Sequence, residues 1–159
     1  MIIIKTKEEI ELMRESALIV SKTLGIVAKE IKPGVTTLQL DKIAEEFIRD
    51  HGAIPGFLGL YDFPNTLCMS PNTQVVHGIP NNKPLVEGDI ISIDCGALKN
   101  GFYGDHAYTF AVGEIDSETE KLLQVTKESL YVGIRELKVN NRVGDVGYAI
   151  QNYCESHGY

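Results

Sequence analysis

The sequence predicts an α+β protein, on three observations. Two helical patterns with capping signals open the chain. A block rich in Gly, Pro, Asn and short apolar runs fills residues 53–113. Two more helical patterns close it. No low-complexity segment or short-period repeat interrupts that order.

The first helix is predicted from about Lys7 to Ile31. Thr6 followed by Glu9 is a capping-box pattern, in which two orphan amides of the first turn are satisfied reciprocally. Ile10, Met13, Ala17, Val20, Leu24, Val27 and Ile31 recur at alternating spacings of three and four, which puts them on one predicted inner face. Lys32-Pro33-Gly34 stops the helix. The second helix follows Val35, with Thr37 as the expected cap and Leu40, Ala44, Phe47 and Ile48 as its apolar stripe. His51 at its end is read as a helix-dipole cap, before the Gly52 stop.

Within the β block, Asp89–Ala97 and Phe102–Val112 are the clearest strands. Lys99-Asn100-Gly101 lies between them, and Asn-Gly is a strong two-residue hairpin signal. Helical spacing returns from Asp116 to Leu137 through Leu123, Leu130 and Ile134. A last helix is predicted from about Val143 to His157, with Val146, Ile150 and Tyr153 facing inward and Gly158 as its stop. His157 is read like His51, as an end cap.

A length of 159 residues suits one domain, expected to span 1–159, and disfavours two full ones. The formal charge is −7 and no run of Lys or Arg collects on one segment, so neither DNA nor an anionic membrane is an expected partner. Cys68, Cys95 and Cys154 form neither a CxxC spacing nor a disulfide framework, and are read as reduced thiols of a cytoplasmic protein. The N-terminal apolar run is too short for a signal peptide, and no stretch is long enough to span a bilayer.

The hairpin concentrates the chemistry. If Asn100-Gly101 form the turn, Lys99 faces Phe102, Gly96 faces Asp105, and Asp94 faces Ala107. Side chains alternate along a strand, so Asp94 and Asp105 share a sheet face as diagonal neighbours, roughly 7–8 Å apart. Gly96, opposite Asp105, is expected to leave a gap between them. Two unpaired carboxylates on an inner face are unfavourable, and a divalent cation offsets that by taking their oxygens as ligands. The spacing alone leaves open that either aspartate faces solvent. His106 follows Asp105 and is expected on the opposite face.

His77 lies in Val75-Val76-His77-Gly78-Ile79-Pro80, at a strand end beside a turn, where it can accept or donate a proton near neutral pH. A histidine hydrogen-bonded to nearby backbone is the alternative that the segment alone leaves open.

Taken together, four segments resemble type I methionine aminopeptidases: Phe63-Pro64-Asn65-Thr66-Leu67-Cys68, Val75 to Pro80, Gly88-Asp89-Ile90-Ile91-Ser92-Ile93-Asp94, and Gly101-Phe102-Tyr103-Gly104-Asp105. Lys32 to Thr37 and Gly144-Asp145-Val146-Gly147 resemble the family as well, so the resemblance covers the whole chain. It implies a pita-bread (creatinase/aminopeptidase-like) fold, an antiparallel sheet with helices packed on one face. It implies a metalloaminopeptidase, a hydrolase that removes the initiator methionine from new polypeptides with up to two divalent ions, Co, Mn, Fe or Zn. Asp94 resembles a ligand of one metal and Asp105 the carboxylate that bridges both. His77 resembles the histidine that contacts substrate and assists at the scissile amide. Phe63 and Cys68 resemble residues lining the methionine side-chain pocket, with Phe57 and Leu60 near it. The substrate implied is the N-terminal Met of nascent polypeptides, in a ribosome-associated context.

Two departures stand out. Thr73 replaces a common acidic residue, and His106 a common small hydroxyl residue. A larger one is length. The family's catalytic domain continues into a second pseudo-symmetric half that carries a histidine ligand, two glutamate ligands and a second substrate histidine. The 159 residues are therefore expected to be the N-terminal half to two-thirds of such a domain. They are expected to be inactive alone, and to self-associate through the face that the second half covers. The alternative is a non-catalytic pita-bread module that binds a peptide or protein partner. The metal-type carboxylates argue against it. A proline-specific aminopeptidase of the same fold is a third option.

Overall fold

The helices begin where their caps dictate. In the computed structural model, which describes residues 3–159, α1 spans Lys7–Glu30, and Thr6 and Glu9 form the expected capping box. The second helix, α2, spans Thr37–Asp50, but its cap is Thr36 rather than Thr37. Thr36 is extended and its hydroxyl accepts from Gln39 N at 3.2 Å. Thr37 instead turns inward, buried, and accepts from Asn81 N at 2.8 Å.

Four strands form one antiparallel sheet: β1 (Ile54–Pro55), β2 (Leu67–Pro71), β3 (Ile90–Lys99) and β4 (Phe102–Ala111). The central strand is β3. It pairs along its whole length with β4, while β1 and β2 take successive stretches of its other edge. Asn100 (φ 53) and Gly101 (φ 80) are both left-handed, as a type I′ turn requires, so Lys99 faces Phe102 as expected.

One face of this sheet is apolar. Ile91, Ile93, Cys95 and Ala97 of β3, with Leu67 and Met69 of β2, pack on Val20, Leu24 and Val27 of α1 and on Leu40, Ala44 and Ile48 of α2. The inner face of α1 differs from expectation in its first half. Ile10, Met13 and Ala17 face outward, and Ser16, Ile19, Val20, Thr23, Leu24 and Val27 are buried. The cause is a close approach between backbones. A Cβ on Gly104 would lie 2.6 Å from the Ser16 carbonyl, and the Ser16 hydroxyl donates to Phe102 O at 2.9 Å. A small residue, not a large apolar one, fits that crossing.

Among the described residues the chain forms two compact units, divided between Glu114 and Ile115. The second unit, Ile115–Tyr159, holds α3 (Ser117–Arg135) and α4 (Val143–Ser156). Asp116 caps α3 by accepting from Glu118 N and Thr119 N, each at 2.9 Å. Leu130 and Ile134 are exposed, and α3 meets α4 through Gly133, where a Cβ would lie 2.7 Å from the Ile150 side chain. Val146, Ile150 and Tyr153 are half-buried. His157 caps α4, its Nδ1 lying 2.8 Å from Tyr153 O.

Candidate active site

The face of the sheet away from α1 and α2 carries the polar residues. The register pairs Asp94 with Ala107 and Gly96 with Asp105, so both carboxylates share this face as the hairpin count requires. His106 pairs with Cys95 and falls on the helix side. From β2, Cys68 is the direct neighbour of Asp94 and Ser70 that of Ser92. A bond of 2.8 Å between the Ser92 and Thr109 hydroxyls joins β3 to β4 in the next row.

Asp94 is the electrostatically unusual member. Its Oδ1 is buried without a hydrogen-bond partner. Burial, then the charge of Asp105, then a hydrogen bond with Asp105, raise its carboxyl above the ordinary range; the charge of His77 and the Cys95 amide oppose them. An orphaned, buried carboxylate oxygen next to a second carboxylate fits a divalent cation, which would accept both as oxygen ligands. Among the described residues no group of three or more His, Cys, Asp or Glu side chains comes together as a metal site.

Cys68 lies beside Asp94 on this face, and its thiol is disfavoured as a thiolate. Burial first, then the charges of Asp94, Asp105 and Asp41, push its thiol up to about 11. At neutral pH it is a protonated, compact, weakly polar group.

The gap expected beside Gly96 is filled. A Cβ on Gly96 would lie 2.6 Å from the Phe57 ring, so an aromatic edge sits against the strand over Gly96. Phe63 is half-buried and Leu60 is 52% exposed.

His77 is exposed and has left-handed backbone, φ 59. Its charge is one of the influences that oppose the raising of the Asp94 carboxyl. The next residue, Gly78, donates its N–H to Ser70 Oγ at 3.1 Å and accepts from Met69 N at 2.8 Å.

Asp41 shapes the site and escaped the sequence reading. It is buried on α2 and accepts from Asn65 Nδ2 at 2.9 Å, Thr66 N at 3.0 Å and Leu67 N at 2.7 Å. It thereby holds the segment between Phe63 and Cys68. Burial raises its carboxyl despite these bonds. The available signal was an acidic residue between Leu40 and Ala44, inside an apolar stripe. An open groove of about 620 Å³ is lined only by second-unit residues, among them Glu136, Asp145 and Tyr153, and contains none of the site residues above.

The antiparallel hairpin presents two carboxylates on one face, one with an unsatisfied buried oxygen. The chain belongs to metallopeptidase family M24, whose pattern matches residues 11–159. Family membership brings dependence on a divalent metal ion. Over its whole length the chain is 50% identical to the methionine aminopeptidase of Clostridium perfringens, of which it covers 64%. It is 48% identical to methionine aminopeptidase 1 of Bacillus subtilis, with the same coverage. The crystal structure of the Rickettsia prowazekii methionine aminopeptidase superposes with a TM-score of 0.98 at 40% identity, over 100% of this chain and 64% of that one. Prolidase from Pyrococcus furiosus, at 22% identity and a TM-score of 0.86, shares the fold alone. The architecture is that of the pita-bread fold. The chain thus spans 64% of the length of these methionine aminopeptidases. No helix among the described residues is long and apolar enough to cross a membrane.

Proposed function

We propose that residues 1–159, both compact units together, form the N-terminal half to two-thirds of one methionine aminopeptidase catalytic domain. The whole domain removes the N-terminal methionine of new polypeptides in the cytoplasm, close to where they leave the ribosome. One observation carries this reading: Asp94 and Asp105 share a sheet face, with a buried Asp94 oxygen unsatisfied. The 50% identity to a methionine aminopeptidase supports the reading.

In this reading Asp94 is a terminal ligand and Asp105 a bridging one, for up to two ions of Co, Mn, Fe or Zn. Such ions polarise a carbonyl and lower the pKa of a bound water. The residues of this chain do the rest. Asp94 and Asp105 hold their oxygens on one face of a fully paired hairpin. His77 meets the scissile amide and moves a proton there. Phe63 and the protonated Cys68, with Phe57 beside them, offer an apolar and partly sulfur-lined wall to a thioether side chain. The exposed Leu130, Leu137, Val143 and Tyr148 support self-association of the 159-residue chain.

The test joins this chain to the remaining segment of the C. perfringens relative and supplies Mn or Co with the peptide Met-Ala-Ser. Methionine is expected to be released by the joined protein, and not by its Asp94→Asn, Asp105→Asn or His77→Ala variants. A folded, metal-loaded joined protein that leaves the peptide intact would sink the reading.

A further inference from the structure

Strand β2 places Ser70 on the same sheet face as Cys68, and its side chain is only 3% exposed. Its oxygen receives the Gly78 N–H at 3.1 Å, while the Gly78 carbonyl receives the Met69 N–H at 2.8 Å. Successive residues of β2 therefore grip both backbone polar groups of Gly78. The fit is close, since a Cβ on Gly78 would lie 2.1 Å from Met69 O and 2.9 Å from Gln74 Oε1.

His77 immediately precedes this clamp. Its φ of 59 is one that side chains other than glycine rarely adopt. Its side chain is exposed, so burial of the ring does not enforce that backbone. The peptide joining His77 to Gly78 is instead held from its far side, through the Ser70 bond to the Gly78 N–H. We propose that Ser70 is a positioning residue: its hydrogen bond to the Gly78 amide holds His77 in the left-handed conformation and so sets where the imidazole lies relative to Asp94. Ser70 touches neither substrate nor metal in this role. Its hydroxyl, not its bulk, matters. The inference rests on the reading of His77 as the residue acting at the scissile amide.

The test uses the 159-residue chain, labelled with ¹⁵N and ¹³C, and its Ser70→Ala and Ser70→Thr variants. Amide exchange at Gly78 and the ring resonances of His77 are followed, with the rings of His51 and His106 as internal references. In Ser70→Ala, Gly78 exchange is expected to quicken by at least about tenfold, as for loss of one buried hydrogen bond. The His77 ring signals move to those of an unstructured histidine, and the other two rings stay put. Ser70→Thr, which keeps the acceptor, preserves both signatures. The proposal is overturned if Ser70→Ala changes neither signature, if it moves His51 and His106 as much as His77, or if Ser70→Thr behaves like Ser70→Ala. Should Ser70→Ala not fold, an unprotected Gly78 amide in the parent chain overturns the proposal, and a protected one kept in Ser70→Thr supports it. Full activity of His77→Ala in the joined protein would sink the role of His77 while leaving the coupling of Ser70 to His77 intact, so the two failures are distinct.

Discussion

Asp94 is a residue whose environment disfavours its own charge. Burial and Asp105 raise its carboxyl in the folded chain. The folded, metal-free chain therefore holds a proton more tightly than the unfolded chain does. Stability falls as pH rises from the ordinary carboxylate value through the raised one, and stays lower above it. Asp94→Asn removes that dependence and is expected to raise the melting temperature of the metal-free chain at neutral pH, read from thermal unfolding across pH. Mn or Co should stabilise the parent chain at neutral pH, by about 2.7 kcal/mol at a hundredfold excess over Kd. The effect should vanish in Asp94→Asn, and in the parent below the raised carboxyl value, where the proton competes. Asp41 is also raised by burial, but both of its oxygens accept hydrogen bonds that offset part of that cost. Asp41→Ala leaves the amides of Thr66 and Leu67 without their acceptor and should cost about 2 kcal/mol in urea unfolding. A change under half of that would show that Asp41 does not hold the strand entry.

At the scale of elements, the hairpin and the helices were legible in the sequence to different degrees. The turn at Asn100-Gly101 is local: two left-handed residues set the register, and the register sets which side chains share a face. That is why the shared face of Asp94 and Asp105 followed from counting. The first half of the inner face of α1, and the contact face of α3, did not follow from apolar spacing. Both helices meet their neighbours through small residues, Ser16 against Gly104 and Gly133 against Ile150. Apolar periodicity reports large side chains and is blind to a contact made by their absence. Gly104→Ala should force α1 away from β4, because the new Cβ would meet the Ser16 carbonyl at 2.6 Å. The expected loss is about 1–3 kcal/mol, measured by chemical denaturation. Phe57 teaches the same point at the site. Gly96 looked like room between two carboxylates, yet a ring from a distant loop occupies that side of the strand.

For the molecule as a whole, two carboxylates leave most coordination positions of a divalent ion to water. A polypeptide of these 159 residues should bind Mn or Co with a Kd of about 10⁻⁴ M or weaker by calorimetry, a range typical of loosely held hard cations. It should release no methionine from Met-Ala-Ser; turnover by this polypeptide would mean that the ligands of the second half are dispensable. Light scattering should show it self-associated, and a clean monomer would count against the exposed apolar side chains acting as a contact face.

The sequence by itself determined the order of elements, the hairpin register and the shared face of Asp94 and Asp105. Each depends on residues close in the chain, where turn chemistry and side-chain alternation act without help. The tertiary structure alone decided that Asp41 ties α2 to the entry of β2, that Phe57 closes over Gly96, and that Ser70 reaches the amide after His77. Those contacts join separate segments through backbone amides and aromatic edges. No periodicity records them, because they arise only once the sheet has brought the segments within hydrogen-bond distance.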